Sequence, residues 1–213
     1  MPEYSYVQSF VKLEGENFKP VLDDFQAIMK KIGLWNELYA NAFDEFTWII
    51  EDGGFVYSTT TGLPASVSSL SNVLIKPMVL GISNTDENLN PTNYLACEFL
   101  MEAEDLRSLR MWRYYPSSFD LIRALAREMF NAFKNSIIYF TDEAQDGQDF
   151  EHLCLKKDEP LWKFDYALVP IELQNIYANP PQSHQVFSNS DFFEVFFKDK
   201  WEVKSILQLN KAK

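Results

Sequence analysis

Apolar residues along the chain fall into two periodicities. Phe18, Val21, Leu22, Phe25, Ile28, Met29 and Ile32 recur at intervals of three and four. That spacing predicts one apolar stripe on a helix over about residues 18–32, with Asn17 as its N-cap and Gly33 as its left-handed stop. Leu121, Ile122, Leu125, Met129 and Phe133 make a second stripe. It predicts a helix over about 117–134, opened by Ser117 and Asp120 in capping-box form.

Other segments are rich in aromatic and β-branched residues, as strands are. YSYVQSFVKL near the start, PMVLGIS from Pro77, IIYF from Ile137, KFDYALVPIEL from Lys163 and the pair FFEVFF and WEVKSILQL all read this way. EFTWIIEDGGFVYSTT predicts a hairpin turning at Asp52-Gly53-Gly54, since glycine permits the positive φ of tight turns. Residues 62–71 are small and polar, a loop or a short helix opened by Pro64. Residues 94–102 fit helix and strand equally. ANPPQSH, residues 178–184, is a loop, because paired prolines suit neither a helix interior nor a central strand. SNTDENLNPTN, residues 83–93, is polar throughout and is the candidate loop or linker within one domain of 1–213. Strands and helices do not alternate strictly. The expectation is therefore an α+β fold, a mixed or antiparallel sheet packed against at least two amphipathic helices.

Composition supports a large core. The 213 residues are 46% hydrophobic and include 18 Phe, 10 Tyr and 5 Trp, so the chain needs neither disulfide nor metal to fold. Cys97 and Cys154 sit in apolar settings and read as reduced thiols that pack like small hydrophobes. MPEYSYVQSF lacks the basic and apolar regions of a signal peptide, and no apolar run reaches bilayer length. These features predict a soluble, cytoplasmic protein. Its net charge of −12 repels nucleic acid and anionic membrane, and would attract a basic partner.

Candidate chemistry is thin. SIIYFTDEAQDGQDFEH, residues 136–152, resembles the metal-binding strand end of superfamily 1 helicases. That resemblance covers five residues, Asp142 to Asp146, and would imply magnesium-nucleotide binding. The seven glycines include none that opens a GxxxxGK[ST] loop, so nothing would hold the phosphates. Read as a calcium loop from Asp142, the run fails at Ala144, Phe150 and Leu153, where ligands are required. His152 and Cys154 would share a strand face, and Cys97 could meet His184 across the fold. No CxxC or HxxxH spacing supports zinc among the four. The expectation is no cofactor, no metal and no catalytic set.

Lysine is scattered along the chain, but arginine is clustered. All five arginines, Arg107, Arg110, Arg113, Arg123 and Arg127, fall within residues 107–127, with Trp112, Tyr114 and Tyr115 between the two groups. Arg107, Arg110 and Arg113 would form a drifting row if helical, and Arg123 and Arg127 lie one turn apart. Guanidinium forks suit carboxylate or phosphate, and rings stack on bases or on guanidinium. Arg107, Arg110, Trp112, Arg113, Tyr115, Arg123 and Arg127 are thus the candidate partner- or anion-binding residues. The alternative is pairing with carboxylates of the same chain. Two functions follow: a non-catalytic, acidic protein-interaction domain of inhibitor, immunity or adaptor type, or a domain binding or acting on an anionic small molecule through 107–127.

Overall fold

The computed structural model describes residues 3–49, 60, 63–85, 91–108, 113–142 and 162–201. The elements are β1 (Tyr4–Lys12), α1 (Lys19–Lys31), α2 (Glu37–Asp44), β2 (Ser66–Val67), β3 (Leu74–Thr85), β4 (Pro91–Glu102), α3 (Ala103–Leu106), β5 (Arg107–Ser108), β6 (Arg113–Tyr114), α4 (Pro116–Ala132), β7 (Ile138–Asp142), β8 (Tyr166–Pro170), β9 (His184–Ser188) and β10 (Phe192–Phe197). An eight-stranded sheet has the order β2-β3-β4-β1-β7-β8-β10-β9, and β5 and β6 form a separate ribbon. The pairs β2–β3, β3–β4, β7–β8, β8–β10 and β9–β10 are antiparallel. With the four helices this is an α+β fold, as the pattern predicts.

The chain divides into two compact units, residues 8–100 and residues 1–7 with 101–213. In the first, α1 buries Leu22, Phe25, Ile28 and Met29, and the Phe25 ring lies 5.0 Å from Phe99 of β4 and 6.1 Å from Phe43 of α2. Each such ring removed from water contributes about 1.5–3 kcal/mol. The helix closes as Gly33 predicts. Its φ is +71°, Leu34 N donates to Met29 O at 2.9 Å, and Gly33 N donates to Lys30 O at 3.2 Å. These are the two bonds of a Schellman stop, which satisfy orphan carbonyls of the last turn.

The start of α1 differs from expectation. The cap is Phe18, without a side-chain bond, because Asn17 is drawn into a tight turn with Glu14. Segment 94–102 is strand, and from Tyr94 to Met101 every residue is buried. Burial on both faces erases the alternation that would have marked it. The expected linker is narrower than 83–93: β3 and β4 pair from Lys76↔Leu100 as far as Thr85↔Pro91, and 86–90 lie outside the described residues. The expected hairpin at 45–60 is not strand over Phe46–Ile49, and its Asp52-Gly53-Gly54 turn lies outside the described residues. Helix α2 was not anticipated. It is capped by Asn36 Oδ1, which accepts from Tyr39 N at 3.1 Å.

In the second unit α4 covers the sheet with Phe119, Leu121, Ile122, Leu125, Met129 and Phe130. It starts at Pro116, with Tyr115 as an extended N-cap and no capping box from Ser117. A residue before proline is forced toward extended backbone, so Tyr115 takes the cap and Ser117 falls inside the first turn. The next serine turns elsewhere: Ser118 Oγ donates to Leu106 O at 2.8 Å. Tyr114, Phe119, Phe140 and Trp201 form an aromatic core, with Tyr114 stacked on Trp201 at 4.5 Å.

Candidate functional site

Arg107 and Arg113 lie in short strands, not in a helix. Four residues of helix end at Leu106, and Arg107 turns extended at φ −140° and ψ 155°. It then pairs with Tyr114 across the β5–β6 ribbon, as Ser108 does with Arg113. This turn places the Arg107 side chain wholly out of solvent. There Nη2 donates to Glu3 Oε1 at 2.6 Å, and Nη1 lies 3.6 Å from Asp142 Oδ2. Burial alone would lower the Arg107 pKa. The bond to Glu3 and the nearby Tyr114, Glu3 and Asp142 outweigh it and raise the pKa, so the group stays a cation.

Beside this pair sits a second buried acid. Tyr114 OH donates to Asp165 Oδ2 at 2.6 Å, and Lys200 Nζ lies 3.7 Å from the same oxygen. Asp165 O accepts from Trp201 Nε1 at 2.7 Å and from Phe197 N at 3.0 Å. Burial pushes the Asp165 carboxyl up, against Lys200 and the Tyr114 hydroxyl, which pull it down. Burial likewise pushes Tyr114 well up, with Asp165 adding to it, so the phenol remains a donor. The cluster joins the ribbon, β7, β8 and the segment after β10.

Arg123 and Arg127 converge on another carboxylate, Glu194 of β10. Arg123 donates from Nε to Oε1 at 2.5 Å and from Nη2 to Oε2 at 2.9 Å. Arg127 Nη2 lies 3.6 Å from Oε2, and Tyr166 OH donates to Oε1 at 2.9 Å. Planar, two-point pairing is what a guanidinium does best. Of the candidate residues, then, Arg107, Arg123 and Arg127 are engaged with carboxylates of their own chain. Arg113 and Tyr115 are exposed, while Arg110 and Trp112 lie outside the described residues.

Among the described residues, Cys97 and His184 are quiet. Burial raises the Cys97 thiol well above its ordinary range, with Glu98 and Asp24 adding to it. Burial lowers the His184 pKa, where Trp162, Phe164 and Phe197 surround the ring. A protonated thiol and a neutral imidazole are not an activated pair. Among the described residues no group of three or more His, Cys, Asp or Glu is placed to hold a metal ion, and no helix is long and apolar enough to cross a membrane. His152, Cys154 and residues 143–152 of the acidic run lie outside the described residues.

The chain matches no family model, no curated protein and no solved structure.

One surface feature was missed in the sequence. Val67 and Leu74 are register partners across β2–β3, so their side chains are neighbours on one face. They are 50% and 49% exposed, and Leu70 in the turn between them is 41% exposed. The turn is fixed in place, since Ser69 donates to Ile32 O from both its N and its Oγ, at 2.8 and 2.9 Å. Gly33 leaves room for it: a Cβ there would stand 3.2 Å from Ser69 Cβ. Three branched apolar side chains are therefore presented to solvent by an anchored hairpin.

Proposed function

We propose that this chain is a non-catalytic protein-interaction domain that binds a basic partner, in the manner of an inhibitor, an immunity protein or an adaptor, and that it works in the cytoplasm. The observation that carries the reading is the hairpin group of Val67, Leu70 and Leu74, held outward at the end of the sheet order. Adjacent exposed apolar side chains on a fixed turn are the usual anchor of an interface. The net charge of −12 adds attraction toward a positive surface and speeds encounter with it. Engagement of Arg107, Arg123 and Arg127 inside the chain favours this reading over capture of a small anion by those groups.

The test begins with affinity capture and ends with purified components. One recovered protein should bind the purified domain saturably, with an on-rate that falls as salt rises. The variant Val67→Ser, Leu70→Ser, Leu74→Ser should melt normally and lose most of that binding. Equal binding by the variant, or no recovered protein that binds after purification, overturns the proposal.

A further inference from the structure

A groove of about 310 Å³ lies between the C-terminal end of α4 and the approach to β10. Phe130 and Phe192 lie within it, their rings edge to face at 5.0 Å. Glu172 and Asp191 line it, as do Asn131 from the last turn of α4 and Lys134 just after the helix. The Asp191 backbone is held in place, since Asp191 N donates to Asn189 Oδ1 at 2.8 Å and Ile171 N donates to Asp191 O at 3.1 Å, and its carboxylate accepts at Oδ1 from Ser190 Oγ at 3.1 Å.

Charge decides what fits. Two carboxylates and one ammonium are among the groups that line the groove, and the helix end adds its own partial negative charge, because the last carbonyls of a helix have no partner within it. Phe130 is buried, whereas the half-buried Phe192 lines the groove with a ring that can attract a cation. A guanidinium is planar, weakly hydrated and able to use carboxylate, carbonyl and ring at once. We propose that this groove receives an arginine side chain of the basic partner. The inference rests on the interaction reading above and gives that partner's chemistry a second, separate point of attachment.

The probe is the peptide N-acetyl-arginyl-arginine amide, titrated into ¹⁵N-labelled protein and followed by amide shifts. Shifts should be confined to the neighbourhoods of residues 130–135, 171–172 and 190–192. The citrulline analogue, equal in shape but uncharged, should leave them still. Glu172→Gln with Asp191→Asn should weaken binding about fivefold, the scale of an exposed charge pair. Lys134→Ala removes a competing ammonium and should tighten it. Glu16→Gln with Asp23→Asn, exposed acids elsewhere, should change nothing. Equal affinity in the Glu172/Asp191 variant, equal shifts from the citrulline peptide, or shifts scattered over other acidic residues would overturn the groove. Partner binding lost on changing Val67, Leu70 and Leu74 would then still stand, so the two readings can fail separately.

Discussion

Arg123 holds both oxygens of Glu194, Nε on Oε1 at 2.5 Å and Nη2 on Oε2 at 2.9 Å. The Glu194 side chain is only 7% exposed and that of Arg123 23%, so solvent does little to replace either partner. Burial would lower the Arg123 pKa, but the bond and charge of Glu194 raise it. A guanidinium so engaged fastens α4 to β10. It is part of the fold before it can be part of a site.

Arg123→Ala should therefore cost stability, about 2–3 kcal/mol, because it strands a buried carboxylate that keeps Tyr166 and a distant Arg127. Arg113→Ala, at an exposed ribbon position, should cost about 0.5 kcal/mol or less. Urea denaturation of both variants checks this. Equal losses would mean that Glu194 is satisfied without Arg123.

Arg107→Ala should be worse, about 3–5 kcal/mol, since it takes the guanidinium away from the buried carboxylate of Asp142. Adding Asp142→Asn should recover part of that loss, because the stranded charge is then gone. Chemical denaturation of the single and double variants measures the recovery. No recovery would show that Glu3, not Asp142, dominates the pairing.

The pH dependence has two opposed parts. His184 is held below its ordinary 6.5, so the folded state resists protonation that the unfolded chain accepts. Its stability contribution is intact above 6.5 and is lost as pH falls from there toward the lower folded value. Asp165 is held above its ordinary 3.8, so ionisation disfavours the folded state at neutral pH. That penalty is relieved as pH falls through the raised folded value toward 3.8. His184→Gln should flatten the loss just below 6.5, and Asp165→Asn should remove the opposing gain at lower pH. Melting curves across pH 4–8 separate them.

Gly33→Ala should destabilise by about 1–3 kcal/mol, joining left-handed strain to a tight approach of the new Cβ to Ser69 at 3.2 Å. Gly15 has nearly the same φ, +64°, but nothing within 4 Å of an added Cβ, so Gly15→Ala should cost only about 1 kcal/mol. Denaturant midpoints compare the two. If Gly33→Ala also weakens partner binding, the hairpin that carries Leu70 has moved.

Local pattern by itself determined the two amphipathic helices, the stop at Gly33, the strands β1, β3, β7, β8 and β10, and hence the α+β class. Each rests on periodicity or on a single residue's backbone freedom, and both are written in neighbouring positions. Signals for α2 were also present, in Asn36 as a cap and in Tyr39 and Phe43 one turn apart, but eight residues make a short pattern. Tertiary structure decided the rest. The spacing of Arg107, Arg110 and Arg113 says nothing of Glu3 and Asp142, which approach Arg107 only when the ribbon and β7 are in place. Glu194 reads as one acid in an apolar strand until β10 pairs with β8 and sets it beside Tyr166 and under Arg123. Leu74 looks like core from its composition, yet pairing with Val67 in a two-residue edge strand leaves both in water. Charge partners and exposure are properties of contacts distant in sequence, and those contacts come into being only when the chain has folded.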